Sequence, residues 1–164
     1  MRVGEIMFFI AHRGNIDGKN PEKENSPDYI DKAIQEGYDV EVDVWGVRSE
    51  EGSDKMFLGH DSPEYEVDSD WFLRRRSKLW IHAKNLDALT WFSHNILKWN
   101  VFWHQEDDFT LTGHRFIWTY PKGPLNGRSI AVMSSNSEYS KEELLRSAGV
   151  CSDNVAELRE MLDG

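Results

Sequence analysis

The sequence predicts a single α/β domain, a compact (β/α)8 barrel of the TIM type in which several outer helices are shortened or missing. Three observations lead there. Short apolar runs recur eight times along the chain. Each of the first five ends in polar, titratable residues: His12 and Arg13, Glu41 and Asp43, His60 and Asp61, His82 and Lys84, His104 and Glu106. Parallel barrel strands end in this way, because their C-terminal ends converge on one mouth. Capped amphipathic segments follow some of the runs, as crossover helices do. At 164 residues the chain holds one substantial core yet falls short of the ~250 residues of a typical barrel, so the deficit is assigned to the outer helices. No linker, tandem repeat or low-complexity stretch divides residues 1–164.

The elements follow in order. Ile6 to Ala11 is apolar without alternation, which suits a strand buried on both faces. Ser26 reads as an N-cap, with Pro27 at the first helical position and Asp28 in the first turn; Tyr29, Ile30, Ala33 and Ile34 then recur at helical spacing until Gly37. Val40, Val42 and Val44 alternate with Glu41 and Asp43, so a strand here carries both carboxylates on one face, roughly 6–7 Å apart. Met56 to Gly59 reads as the third strand and Leu79 to Ile81 as the fourth; Leu86, Leu89, Phe92, Ile96 and Trp99 mark a second helix. Val101–Trp103, Phe116–Trp118, Ile130–Met133 and Gly149–Cys151 complete the eight, and capping boxes Ser140…Glu143 and Asn154…Glu157 open the last two helices. Asp107 and Arg115 are too close in sequence for a usual parallel crossover, so Thr110 to Phe116 also reads as a local hairpin.

Composition narrows the function classes. With 19 Lys and Arg against 29 Asp and Glu, the net charge is −10, which repels nucleic acid and anionic membranes. The one basic run, Arg74-Arg75-Arg76, is too short to override it. Charged residues at 29% and a mean hydropathy of −0.63 exclude disordered, collagenous and membrane-spanning chains. A single cysteine, Cys151, excludes an internal disulfide framework and suits a reducing compartment. The apolar start is too short for a signal-peptide core, and a cytoplasmic location is expected.

Five of the six histidines lie at strand ends or in the loops that follow them, with His94 inside a helix. A lone histidine is usually a satisfied or surface residue; the recurrence at strand ends favours a site. Glu41 and Asp43 on an inward strand face need a cation, and oxygen ligands with room for water suit Mg²⁺ or Ca²⁺. The competing reading, an edge strand with its acids in water, fits the flanking valines and Trp45 less well. Arg13 offers planar bidentate donors to a phosphate or carboxylate, and Lys84 a second positive point.

Four motifs occur in fixed order across residues 11–61: Ala11-His12-Arg13-Gly14, Glu24-Asn25-Ser26, Glu41-Val42-Asp43-Val44 and Gly59-His60-Asp61. Together they resemble the glycerophosphodiester phosphodiesterase family, within the phospholipase C-like phosphodiesterases of TIM-barrel type. Gly149 to Asp153 is similar to that family's last strand, with Ser152 where Thr is usual. The resemblance implies that His12 and His60 are the general acid/base pair and that Arg13, Lys84 and Glu24 bind or orient the substrate. It also implies that Glu41 and Asp43 ligate a metal. The family's third ligand is a Glu in a Glu-hydrophobic-Lys motif, whereas this chain has His82-Ala83-Lys84. His82 then becomes the third ligand, which moves preference from Ca²⁺ toward Mg²⁺ or Mn²⁺, and Glu106 or Asp107 is a candidate for the missing oxygen.

The activity so implied is metal-dependent hydrolysis of a glycerophosphodiester or similar small phosphodiester to an alcohol and a phosphomonoester, with Mg²⁺ as the expected ion. Two alternatives stand beside it. One is a cyclic-phosphate-forming lyase or phosphoglycerol transferase; the other is a catalytically inactive barrel that binds a phosphorylated ligand. Expected partners are a small-molecule phosphodiester and a second copy of the chain, since missing helices after Val101 would bare apolar strand faces. Neither nucleic acid nor membrane insertion is expected.

Overall fold

The computed structural model describes residues 7–48, 54–94 and 98–164. Ile6 of the first apolar run and Ile96 of the second helix lie outside the described residues. In chain order the elements are β1 (Phe8–His12), α1 (Pro27–Gln35), β2 (Asp39–Arg48), β3 (Asp54–Leu58), β4 (Tyr65–Val67), α2 (Ser69–Arg75), β5 (Leu79–Ala83) and α3 (Leu86–Ser93). They continue with β6 (Val101–Phe102), β7 (Phe109–Leu111), β8 (Ile117–Thr119), β9 (Ser129–Met133), α4 (Lys141–Leu144), β10 (Gly149–Ser152) and α5 (Val155–Asp163).

All ten strands form one mixed sheet. Its parallel part runs β6-β5-β2-β1-β10-β9-β8, while β3 pairs antiparallel with the far end of β2, β4 with β3, and β7 with β8. No strand ladder joins β6 to β8 among the described residues, so the sheet is mixed and not closed. Three contacts bridge that gap. The Gly113 amide donates to the Val101 carbonyl at 2.8 Å, Thr110 Oγ1 donates to the Trp103 carbonyl at 2.8 Å, and the Phe102 and Trp118 rings stack at 4.6 Å.

One expectation needs correction. The run Met56 to Gly59 is not a parallel strand: β2 extends to Arg48, well beyond its carboxylates, and β3 folds straight back along it, pairing Val44 with Leu58. A connection that short permits only antiparallel return. The segment that follows contains β4 and α2. Asp68 caps α2 by accepting the Trp71 amide at 2.8 Å, and the helix buries Phe72, which meets Phe92 edge-on at 5.3 Å. The hairpin reading of Thr110 to Phe116 is the observed one, as β7 and β8.

Helix ends follow the local chemistry. The Ser140/Glu143 capping box is complete. Asn154 Nδ2 donates to Glu157 Oε2 at 2.6 Å instead of the side chain capping α5, and Ser26 Oγ donates to the Lys23 carbonyl at 2.8 Å while Pro27 starts α1. The valines of β2 pack with Ile30, Ala33, Phe72 and Phe92 under the helices. On the opposite face Ile10, Trp80, Phe102, Trp118, Ile130 and Cys151 form a second apolar layer.

That second layer positions everything above it. Strand residues two apart share a face, so His12 follows Ile10 and His82 follows Trp80 on that face, while His104, Tyr120 and Asp153, just past the ends of β6, β8 and β10, line the same cleft. The parallel register sets them side by side: His12 pairs with Glu41, and Asp43 with His82. Polar groups thus emerge together from an apolar floor at the C-terminal ends of the strands.

Candidate functional site

A cleft of about 660 Å³ opens over this layer, with His12, Arg13, Glu41, His60, His82, Lys84 and Asp153 in its wall. Residues from the N-terminal, middle and C-terminal parts of the chain meet here because parallel strands start and end together.

His12 is held by a residue the sequence reading gave no role. Its Nδ1 lies 2.7 Å from Asp153 Oδ1, and since a carboxylate only accepts, Nδ1 carries the proton. Nε2 points into the cleft, 3.8 Å from Glu41 Oε2. Asn15 fixes Asp153 in turn, donating at 2.8 Å. Burial pushes the His12 pKa down, but the Asp153 hydrogen bond and the Glu41 charge outweigh it and the net shift is upward.

Arg13 follows in a left-handed backbone conformation, φ 55°, at a cost of order 1 kcal/mol. Its amide donates to the Glu41 carbonyl at 3.0 Å. Its guanidinium reaches Glu24 at 3.1 Å and Asp43 at 3.0 Å. Glu24 sits behind it, buried, with its other oxygen taken by Asn15 at 2.9 Å. It therefore holds Arg13 in place and does not itself line the cleft. Asn25 binds Asp43 twice: its amide donates to Oδ2 at 2.9 Å and its oxygen accepts the Asp43 amide at 3.0 Å.

Glu41, Asp43 and His82 bring one donor atom each within 4.8 Å of one another and could hold a metal ion. Three features fit that role. Glu41 Oε2 is buried without a hydrogen-bond partner, a costly condition unless a cation faces it, and Asp43 Oδ1 beside it has only His82 Nδ1 at 3.1 Å and Lys84 Nζ at 3.5 Å. His82 Nε2 lies 2.8 Å from the His104 carbonyl and must donate, which leaves Nδ1 facing Asp43 Oδ1 at 3.1 Å. That contact is satisfied either by a proton on Nδ1, donated to Asp43, or by a cation between the two groups; a ring N–H on a backbone carbonyl is also how ligating histidines are held. Burial pushes the Glu41 pKa up, with the Asp43 charge adding to it. Burial pushes the same way on Asp43, but His82, Arg13 and Lys84 overcome it and hold that carboxyl well below the usual range.

His60 reaches the cleft despite the antiparallel course of β3. The Gly59 amide donates to the Asp43 carbonyl at 3.1 Å and its carbonyl accepts from Trp45 Nε1 at 2.7 Å, so the end of β3 is tied to β2 beside the carboxylates. His60 Nδ1 lies 2.7 Å from Asp61 Oδ1. Burial and the Arg13 charge push its pKa down. Lys84 points Nζ at Asp43 Oδ1, 3.5 Å away.

Glu106 and Asp107 are exposed and stand outside the cleft wall. Besides Asp153 and Asn15, the sequence reading gave no individual role to Trp103, His104 and Tyr120, which also line the cleft. The signal was available: each of Asp153, His104 and Tyr120 lies two residues past a buried strand residue.

Fold and site together define a mixed α/β protein whose sheet carries, at its C-terminal edge, one cleft with a buried carboxylate and histidine cluster. Among the described residues no helix is long and apolar enough to cross a membrane. Comparison of the chain with family models, curated proteins and solved structures returns no match.

Proposed function

We propose that the chain is a metal-dependent phosphodiesterase that hydrolyses a glycerophosphodiester or similar small phosphodiester, as its resemblance to the glycerophosphodiester phosphodiesterases implies. One observation carries the reading. His12 and His60, with pKa values displaced in opposite directions, face the same cleft as Arg13 and the Glu41/Asp43/His82 cluster. Two titratable groups pushed apart in this way assign an acid and a base.

Glu41, Asp43 and His82 would hold the metal, Mg²⁺ by its oxygen ligands and Mn²⁺ also by its nitrogen. When bound it supplies charge neutralisation at the non-bridging phosphate oxygens. Arg13 and Lys84 orient the same phosphate from the side. His60, neutral near pH 7, takes the proton of the attacking water. His12, aligned by Asp153, which raises its affinity for a proton, delivers that proton from Nε2 to the leaving alcohol oxygen. Water as nucleophile gives a phosphomonoester; a hydroxyl of the substrate itself gives a cyclic phosphate.

The same reading takes the sheet as a (β/α)8 barrel reduced to seven parallel strands, with the β7–β8 hairpin leaning on β6 where an eighth strand would close it. The Gly113 to Val101 hydrogen bond and the Phe102/Trp118 stack support this.

The test is phosphorus NMR of the protein with glycerophosphocholine and glycerophosphoglycerol, in Mg²⁺, Mn²⁺, Ca²⁺ or chelator. Metal-dependent monoester is the expected product. Cyclic phosphate alone would move the assignment to a lyase, and transfer to a second alcohol to a transferase. Absence of both turnover and metal binding would leave a phosphate-ligand binder.

A further inference from the structure

The turn that ends β1 sets one buried amide between two groups of the cleft. Arg13 and Gly14 are both left-handed, at φ 55° and 89°, and the Asn15 backbone amide closes the turn on the His12 carbonyl at 2.9 Å. The Asn15 side chain is fully buried and uses its whole hydrogen-bonding capacity. Nδ2 donates to Glu24 Oε1 at 2.9 Å and to Asp153 Oδ1 at 2.8 Å. Oδ1 accepts from the Asn20 backbone amide at 3.1 Å and from the Tyr29 hydroxyl at 3.3 Å. Carboxylates only accept, so the nitrogen must face them and the amide has a single orientation.

Each of these carboxylates is otherwise held only by the group it serves. Among the described residues the Asp153 side chain bonds to His12 and Asn15, and the Glu24 side chain to Arg13 and Asn15. Without Asn15, the Asp153 side chain, 27% exposed, would keep His12 alone and could turn toward water. Glu24, buried behind Arg13, would keep an oxygen with no donor, a costly condition. No other group of this size serves. Aspartate would set a third carboxylate against two, and leucine offers no donor.

We propose that Asn15 is a positioning residue, fixing the proton-delivering His12 through Asp153 and the phosphate-binding Arg13 through Glu24 with one side chain. This rests on the phosphodiesterase reading and deepens it, since a single amide then sets how the acid stands relative to the phosphate. Asn15 itself does not line the cleft.

Leaving-group dependence tests the role. An alkyl alcohol must be protonated as it departs, whereas 4-nitrophenolate departs as the anion. In Asn15→Ala, kcat with glycerophosphocholine should fall about 10²-fold, and kcat with bis(4-nitrophenyl) phosphate about tenfold less than that. KM should rise for both esters, through Arg13. Mn²⁺ affinity by calorimetry should match the wild type, because Asn15 bonds to none of Glu41, Asp43 and His82. Tyr29→Phe removes one donor to the amide oxygen and keeps the ring, so it should show the same selective loss at about threefold, and it decides the matter if Asn15→Ala does not fold. Equal loss with both esters, or no loss, overturns this inference and leaves the phosphodiesterase reading standing. A wild type that hydrolyses neither ester in Mg²⁺ or Mn²⁺ overturns both.

Discussion

His12 and Asp153, 141 residues apart, meet at 2.7 Å through Nδ1 and Oδ1. The bond fixes the ring, its tautomer and the direction of Nε2. Asp153→Asn should therefore lower kcat by about 10²-fold or more, because an amide can stabilise the wrong tautomer and cannot neutralise an imidazolium. The same substitution should move the His12 titration, followed by NMR, to lower pH. An unchanged His12 titration would leave Asp153 with a purely structural part.

In the metal-free protein His12 should titrate above 6.5, and His60 and His104 below it. Burial opposes the His12 shift, and Asp153 and Glu41 produce it. A pKa raised on folding means the folded state binds the proton more tightly. The stability His12 contributes is then full below its unfolded value of 6.5 and is lost as pH rises through the folded value. Urea midpoints across pH 6 to 9, compared with those of His12→Asn, read this slope.

Glu41 and Asp43 should respond oppositely to neutralisation. Burial disfavours the Glu41 charge, so Glu41→Gln should raise the denaturation midpoint of the metal-free protein while weakening metal binding. Asp43 is surrounded by Arg13, His82 and Lys84, and Asp43→Asn should cost about 3 kcal/mol by removing the carboxylate that the partly buried Arg13 and Lys84 face. Calorimetric titration with Mn²⁺ and chemical denaturation of both variants check the contrast. His82→Glu should shift preference toward Ca²⁺ if His82 ligates.

Gly59 delivers His60 through a backbone that other residues rarely adopt, φ 151°. A Cβ there would meet the Ser62 carbonyl oxygen at 2.1 Å. Gly59→Ala should cost about 2 kcal/mol and reduce kcat more than it alters metal affinity, as His60 is displaced and the cluster is not.

Self-association is expected at the β7 edge, where Phe109 and Leu111 are 43% and 66% exposed. Light scattering should give twice the 19.1 kDa protomer mass, and Leu111→Glu should restore the protomer. A monomeric wild type would count against it.

Much of the site was legible because strand chemistry is local. Alternation around Glu41 and Asp43, and polar residues closing apolar runs, placed His12, Arg13, His60, His82 and Lys84 before any geometry was known. Asp153 and His104 were less visible, since their meaning lies in which buried residue stands two positions before them.

What the sequence alone determined was the set of apolar runs, the capped helices and the charged residues at the run ends, all products of short-range periodicity and capping. The tertiary structure decided pairing. It made Met56 to Leu58 an antiparallel return rather than a barrel strand, left the sheet not closed beyond β6, and set Asp153 on His12. Hydrogen-bond partnership between distant strands depends on register and chain reversal, and neither is written in the local pattern of any one strand.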